Sequence, residues 1–298
     1  MPAQVQKSAV WTLIITGVAL FMTALDNLIV GVALPTIRAD LGGSIEALEW
    51  TVNAYTLTFA VLLITGAALG DRFGRRRMFM IGVGIFTAAS AAAALAPSLD
   101  VLIAARAVQG AGAAIVTPLT LTLVSGAFPP EKRGAALGIW GGISGLGVAL
   151  GPLVGGAVIE GISWHWIFWV NVPVGLVLIP LAWRNLEEST GPDKALDLPG
   201  LGLVGAGLFG ITFGIIRGES MGWTSTPIVA SIATGLALLA AFVAWELRSK
   251  EPMLPMRFFK RRAFSATNGL SFSMFFGTFG AIFLLSQFFQ TAQGLGPL

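Results

Sequence analysis

The chain has 298 residues, of which 55% are hydrophobic and only 11% charged, whereas about a quarter are charged in an ordinary soluble domain. So little polar surface excludes a water-soluble globular protein, and a mean hydropathy of +0.81 excludes disorder. The lack of cysteine removes disulfides, thiol nucleophiles and cysteine metal sites, and a single histidine, His165, removes a histidine-rich one.

A helix needs about 20 apolar residues to cross a bilayer core of roughly 30 Å. Nine runs reach that scale: 10–34, 50–69, 78–96, 101–123, 134–159, 166–183, 199–216, 227–247 and 264–289. Each is expected to be a helix, because lipid offers no hydrogen-bond partner and a span must satisfy its own backbone. The strand-like alternation of a membrane barrel is missing. The first run is too long for a cleavable signal peptide and carries Asp26 in its outer half.

Basic residues set the expected orientation. With the N-terminus inside, fifteen of the eighteen lysines and arginines fall on the inner side: Lys7, Arg72, Arg75, Arg76, Arg77, Lys132, Arg133, Arg184, Lys194, Arg248, Lys250, Arg257, Lys260, Arg261 and Arg262. Arg38 and Arg217 fall outside, and Arg106 lies within a span. The net charge of +3 therefore reports topology, and no nucleic-acid partner is expected. The expected location is the cytoplasmic membrane, with the chain multi-pass and the bilayer as its solvent.

Asp26 in span 1 and Arg106 in span 4 are the two clear intramembrane charges, each costly to bury. At 1.5 Å per residue both sit roughly 10 Å below the outer surface, so they are expected at one depth on facing helices. One reading is a titratable carboxylate beside a fixed cation. The other is a structural ion pair that offsets its own burial. Gln109, Thr117 and Thr120 share a helical face with Arg106. Span 2 carries a similar stripe, Thr51, Tyr55, Thr58 and Thr65, with Asn53 nearby. Asn27, Thr51, Asn53, Tyr55, Thr58, Gln109 and Thr117 are the expected lining of a substrate cavity, against the alternative of simple helix–helix hydrogen bonding.

The turn between spans 2 and 3 reads Asp71-Arg72-Phe73-Gly74-Arg75-Arg76-Arg77. Membrane anchoring accounts for part of the charge. Asp71 and Gly74 are not needed for that and suggest a fixed turn with an ion-pair network. Span 5 is glycine-rich: Gly134, Gly138, Gly142 and Gly145 on one side, then Gly147, Gly151, Pro152, Gly155 and Gly156. Small residues every fourth position allow close helix approach, and proline favours a kink, so span 5 reads either as a tight seam or as a helix that bends or slides. His165, between Trp164 and Trp166, is expected in an interfacial aromatic belt.

These segments together resemble the major facilitator superfamily, in particular its fourteen-span drug:proton antiporter branch. Leu25-Asp26-Asn27-Leu28-Ile29-Val30-Gly31-Val32-Ala33-Leu34-Pro35 is similar to the branch's first-helix motif, with Gly31 in place of a usual asparagine. Asp71-Arg72-Phe73-Gly74-Arg75-Arg76 resembles the superfamily loop motif, with Ala67 where the leading glycine usually stands and Gly66 beside it. Arg106, Gln109, Gly110, Gly112 and Ala114 resemble the fourth-helix motif linked with proton coupling. Gly147, Gly151, Pro152, Gly155 and Gly156 resemble the antiporter motif of the fifth helix. The stretch from Trp164 through Asn171 and Pro173 to Gly175 resembles the branch's sixth-helix signature.

The resemblance implies an all-α polytopic membrane protein in five parts: residues 1–183 as an N-terminal six-helix transport half, 184–198 as a cytoplasmic linker, 199–247 as two extra linker helices, 248–262 as a basic cytoplasmic loop, and 263–298 as the first helix of a C-terminal half. Five further spans of the branch pattern are not in this chain, so a missing C-terminal half is an expected partner. The implied function is proton-coupled export of small amphipathic organic compounds, drugs or antibiotics by alternating access, with no cofactor and a proton gradient as energy source. Asp26 and Arg106 would couple the proton, and Asp71, Arg72, Gly74, Arg75 and Arg76 would latch the two halves. Alternatives are a non-transporting fragment of such a transporter and an exporter of one endogenous metabolite. A nutrient symporter is disfavoured by the span 5 resemblance. An enzyme is not expected, because one buried acid and one boundary histidine do not make a catalytic cluster.

Overall fold

The computed structural model describes residues 3–191, 197–249, 252 and 254–287. Among them the helices are α1 (Ala3–Leu41), α2 (Ile45–Phe73), α3 (Arg75–Ala94), α4 (Leu99–Ala127), α5 (Pro130–Gly161), α6 (Trp166–Trp169), α7 (Asn171–Asn185), α8 (Leu198–Met221), α9 (Thr226–Glu246) and α10 (Arg262–Gln287). A short 3-10 turn, Met256–Lys260, precedes α10. No strand occurs among the described residues, and the protein is an all-α polytopic membrane protein.

Eight helical stretches among the described residues are long and apolar enough to cross a membrane, and they coincide with the first eight runs. The ninth run corresponds to α10, and its last residues, 288–289, lie outside the described residues. The sixth run departs from a single helix, being divided into α6 and α7 at Val170. Pro173 is the local cause: it has no N–H to donate to the carbonyl of Trp169 one turn earlier.

Local chemistry sets the helix ends. Ser44 and Ser98 are N-caps whose side chains accept from the backbone N–H of Ala47 and Val101. Asp197 caps α8 through Gly200. Proline stands in the first turn of α5, α8 and α9, where a missing N–H breaks no helical bond.

Between helices in lipid there is no water to expel, so close backbone packing does the work. Gly66 brings α2 against α4: a Cβ there would stand 2.8 Å from the Ile115 Cα. Gly112 brings α4 against α3, where a Cβ would stand 2.6 Å from the Phe86 nitrogen. On α5 the glycine rows divide. Gly147, Gly151 and Gly155 pack on Ala24, Leu28 and Ile29 of α1, and Gly156 is also buried. Gly134, Gly138, Gly142 and Gly145 have nothing within 4 Å of an added Cβ. Thus only the second row is a seam among the described residues. Pro152 is exposed, and α5 continues through it.

The α8–α9 hairpin packs on α2. Trp50 lies 6.5 Å from Phe213 between ring centroids, and Arg217 pairs with Glu46 while lying 5.4 Å from the Trp50 ring. Arg217, set apart from the main basic group by sequence, thus has a local partner. Trp164, expected beside His165 in the aromatic belt, packs inside the bundle. It is 2% exposed, packs edge-on against Phe168, and donates through Nε1 to Asp40 at 2.9 Å. Trp166 is 48% exposed. An anchored indole with a satisfied N–H can close the end of the bundle as a core residue does.

Two apolar clusters fill the first seven helices. One contains Ile15, Phe79, Phe86, Val116 and Leu186, and the other Ile29, Ile37, Leu102, Trp164 and Phe168. Met22 belongs to the first and Leu25 to the second, so Asp26 stands at the junction of the two.

Candidate functional site

Asp26 of α1 is 1% exposed and Arg106 of α4 is 0% exposed. The fold turns them toward each other, and Arg106 Nη1 donates to Asp26 Oδ2 at 2.5 Å. The same Nη1 donates to Gln109 Oε1 at 2.8 Å, and Gln109 Nε2 donates to Asp26 Oδ1 at 2.9 Å. Gln109 stands three residues after Arg106, one helical turn away, which lets both side chains reach one carboxylate. Arg106 Nε donates to the main-chain oxygen of Thr51 at 3.0 Å. The guanidinium carbon lies 4.3 Å from the Tyr55 ring centroid and 5.7 Å from that of Phe168.

Two members of this cluster escaped the sequence reading as site residues. Asn171 Nδ2 donates to Asp26 Oδ1 at 2.8 Å and to Ser90 Oγ at 3.0 Å. Ser90 Oγ donates to the Phe168 carbonyl at 2.9 Å. Asn171 did carry a signal, as a polar residue inside an apolar run and beside Pro173. Ser90, in an alanine-rich stretch, carried none. The carboxylate therefore accepts from one guanidinium and two amides contributed by α4 and α7. Such satisfaction is what a buried charge requires, because an unpaired one costs several kcal/mol.

A cavity of about 220 Å³ lies beside the cluster. Of the residues expected to line it, Asn27, Tyr55 and Thr117 do so, joined by Thr23, Thr56 and Ser144. Phe275 of α10 contributes to its wall. Thr51 and Gln109 belong to the buried cluster and not to this wall; the Thr51 hydroxyl donates to the Leu48 carbonyl at 2.6 Å. Asn53 and Thr58 do not line it either. Asn53 follows Trp50 by one turn, on the side of α2 where Trp50 and Val61 meet α8. Thr120 accepts from Trp140 Nε1 at 3.0 Å, tying α4 to α5.

The turn after α2 is fixed, as its composition suggested. Gly74 has φ +104°, a conformation that favours glycine, and an added Cβ would meet the Glu188 carboxylate. Arg75 forms an ion pair with Asp71 at 2.8 Å, and Arg75 N donates to the Ser189 carbonyl at 2.8 Å. Arg76 Nη1 donates to the Leu186 carbonyl at 3.2 Å, and Arg72 lies over the Phe73 ring. Glu188, absent from the expected set, accepts from the backbone N–H groups of Arg76 and Arg77 at 3.0 and 3.1 Å. It caps the first turn of α3 from just beyond the end of α7. Glu188→Ala is expected to lower stability by about 1 kcal/mol, the usual size of a lost helix cap. Thermal denaturation in detergent reads this, and an unchanged midpoint contradicts the capping role.

Among the described residues no group of three or more His, Asp or Glu side chains is placed to hold a metal ion.

The buried acid–base cluster and the adjoining cavity thus lie within a polytopic bundle of membrane-length helices. The chain belongs to the Major Facilitator Superfamily, whose family model matches residues 16–298. That is a family of transporters and not of enzymes. The multidrug resistance protein Stp of Mycobacterium tuberculosis is 38% identical over 293 residues, covering 98% of this chain and 55% of that protein. The tetracenomycin C resistance and export protein of Streptomyces glaucescens is 34% identical over 300 residues, covering 100% of this chain and 56% of that protein. The multidrug transporter protein MdtP of Bacillus subtilis is 35% identical, covering 97% and 54% respectively. This chain thus spans about half the length of the curated relatives it matches. A peptide transporter POT, solved in complex with sulfate, shares the fold with a TM-score of 0.59 at 17% identity, covering 82% of this chain and 53% of its own.

Proposed function

We propose that this chain is the proton-handling part of a fourteen-span drug:proton antiporter, exporting small amphipathic organic compounds across the cell membrane by alternating access. The observation that carries this reading is the buried Asp26–Arg106 pair, satisfied by Gln109 and Asn171 and set beside a cavity lined by both polar and apolar side chains. Resistance and export functions named for three relatives support the substrate class. In this reading residues 1–183 are the N-terminal transport half, 184–198 a linker, 199–247 the added helices, 248–262 a cytoplasmic loop and 263–298 the opening of the second half. The basic end faces the cytoplasm, placing the N-terminus there. A C-terminal half is the partner against which the first half rocks.

The chemistry needs no cofactor. A proton arriving at Asp26 weakens the hold of one carboxylate on α4 and α7 together. Because the two access states would separate Asp26 and Arg106 differently, protonation supplies the differential free energy that a shift between them requires. The seam formed by Gly147, Gly151 and Gly155 on α1 lets α1 and α5 move as one body, and the loop with Asp71, Arg72, Gly74, Arg75 and Arg76 gates the cytoplasmic side.

The test is proton-driven efflux of a fluorescent organic cation by a version extended to the length of its relatives. Asp26→Asn is expected to abolish the dependence on the proton gradient, and undiminished proton-driven efflux sinks the reading. A second reading, a membrane unit that transports nothing by itself, draws on the half-length match. Efflux from cells expressing the chain alone excludes it.

A further inference from the structure

Resting on the reading of Asp26 as the proton carrier, we propose that the Tyr55 ring is the gate between the cavity and the buried ion pair. Neither Asp26 nor Arg106 lines the cavity, and both are sealed from it. Tyr55, which is the only tyrosine in the chain, does line it, while its ring lies 4.3 Å from the Arg106 guanidinium. One aromatic ring therefore touches both compartments.

The ring is held firmly at its base and loosely at its tip. At the base, Gly110 of α4 leaves room for the Tyr55 backbone itself: a Cβ on Gly110 would stand 3.0 Å from the Tyr55 Cα. At the tip, the hydroxyl donates to the Thr23 carbonyl over a long 3.4 Å, and the ring stacks on Phe59 at 6.2 Å between centroids. Rotation about the side chain breaks that long hydrogen bond and gives up the Phe59 stacking and the Arg106 contact while leaving the helix pair in place, so the ring and not the hydroxyl is the barrier. Behind the ring, Arg106 Nη2 is buried and donates to none of the described residues. Water admitted past Tyr55 gains a charged donor there, next to the carboxylate it must reach. The hydroxyl and amide side chains of Thr23, Asn27, Thr117 and Ser144 give the cavity side the polarity to hold such water.

The test is access to Asp26, read separately from transport. A hydrophobic carbodiimide adds to protonated carboxyl groups, and the modified peptide is quantified by mass spectrometry from membrane vesicles containing the protein. Asp26 is expected to react slowly in the parent protein and in Tyr55→Phe, where the ring remains. Tyr55→Ala is expected to speed the reaction by about tenfold or more, because a minor open state is populated at roughly 10% or less. An unchanged rate in folded Tyr55→Ala overturns the gate. Since the chain has no native cysteine, Ser144→Cys provides a second route that leaves Tyr55 intact. Filling the cavity with a bulky maleimide there is expected to slow Asp26 modification, and an unaffected rate overturns the proposal even where Tyr55→Ala does not fold. Undiminished proton-driven efflux in Asp26→Asn removes the transport role of the carboxylate without touching the labelling result, so the two ideas fail separately.

Discussion

Arg106→Ala is expected to destabilise the protein by about 3–5 kcal/mol, the cost of breaking a buried ion pair from one side. The guanidinium is wholly buried, and its removal leaves Asp26 with two neutral amide donors and no positive charge. It also leaves the Gln109 carbonyl oxygen without its charged donor and opens space beside Tyr55 and Phe168. Asp26→Asn combined with Arg106→Gln is expected to regain much of that loss, since no charge then remains buried. The comparison is read by thermal denaturation of detergent-solubilised protein followed by size-exclusion chromatography. It separates the structural from the functional account of the pair: the double variant is expected to be folded and to lack proton-driven efflux. A double variant no more stable than Arg106→Ala contradicts the electrostatic account.

Gly110→Val is expected to have the second large effect. Gly110 sits where α4 crosses α2, and even the first atom of a side chain would press on the Tyr55 backbone. Backbone atoms cannot rotate aside as a flexible side-chain tip can, so the helices must separate. Overpacking of this kind costs about 1–3 kcal/mol or more, and the loss of close contact along the seam adds to it. The control is Gly145→Ala on α5, where an added Cβ meets nothing within 4 Å. That change is expected to be neutral or to stabilise by up to about 1 kcal/mol through helix propensity. Folded yield and melting midpoint of the two variants, measured side by side, check the contrast; equal behaviour defeats the packing argument.

Much of the architecture was legible from composition alone. Runs of apolar residues must be helices in lipid, and the nine runs anticipated α1 to α10, with the ninth extending past the described residues. Counting residues along each helix also anticipated that Asp26 and Arg106 reach one level on facing helices, where the two side chains pair, because rise per residue along a helix is constant. Helical spacing placed Gln109 beside Arg106 for the same reason. Rotation about each helix axis relative to its neighbours was another matter. The stripe of polar residues on α2 was read as one face toward a cavity, yet Tyr55 reaches the cavity while Thr51 belongs to the buried cluster and Asn53 sits on the side toward α8. Likewise the glycines of α5 looked alike in spacing, and only their neighbours distinguish a packed row from an uncovered one.

What the sequence determined by itself is therefore one-dimensional: which segments are long and apolar enough to cross a bilayer, how far along its helix each charge lies, and which residues share a helical face. Those follow from the fixed geometry of a helix and the cost of exposing polar groups to lipid. Only the tertiary structure decided which faces meet. It added Asn171 and Ser90 to the Asp26 cluster from spans far apart in the chain, brought Glu188 back to cap α3, and set a single ring of Tyr55 between cavity and ion pair. Such contacts depend on how whole helices dock, a choice made by the sum of many close packings and not by any one local pattern.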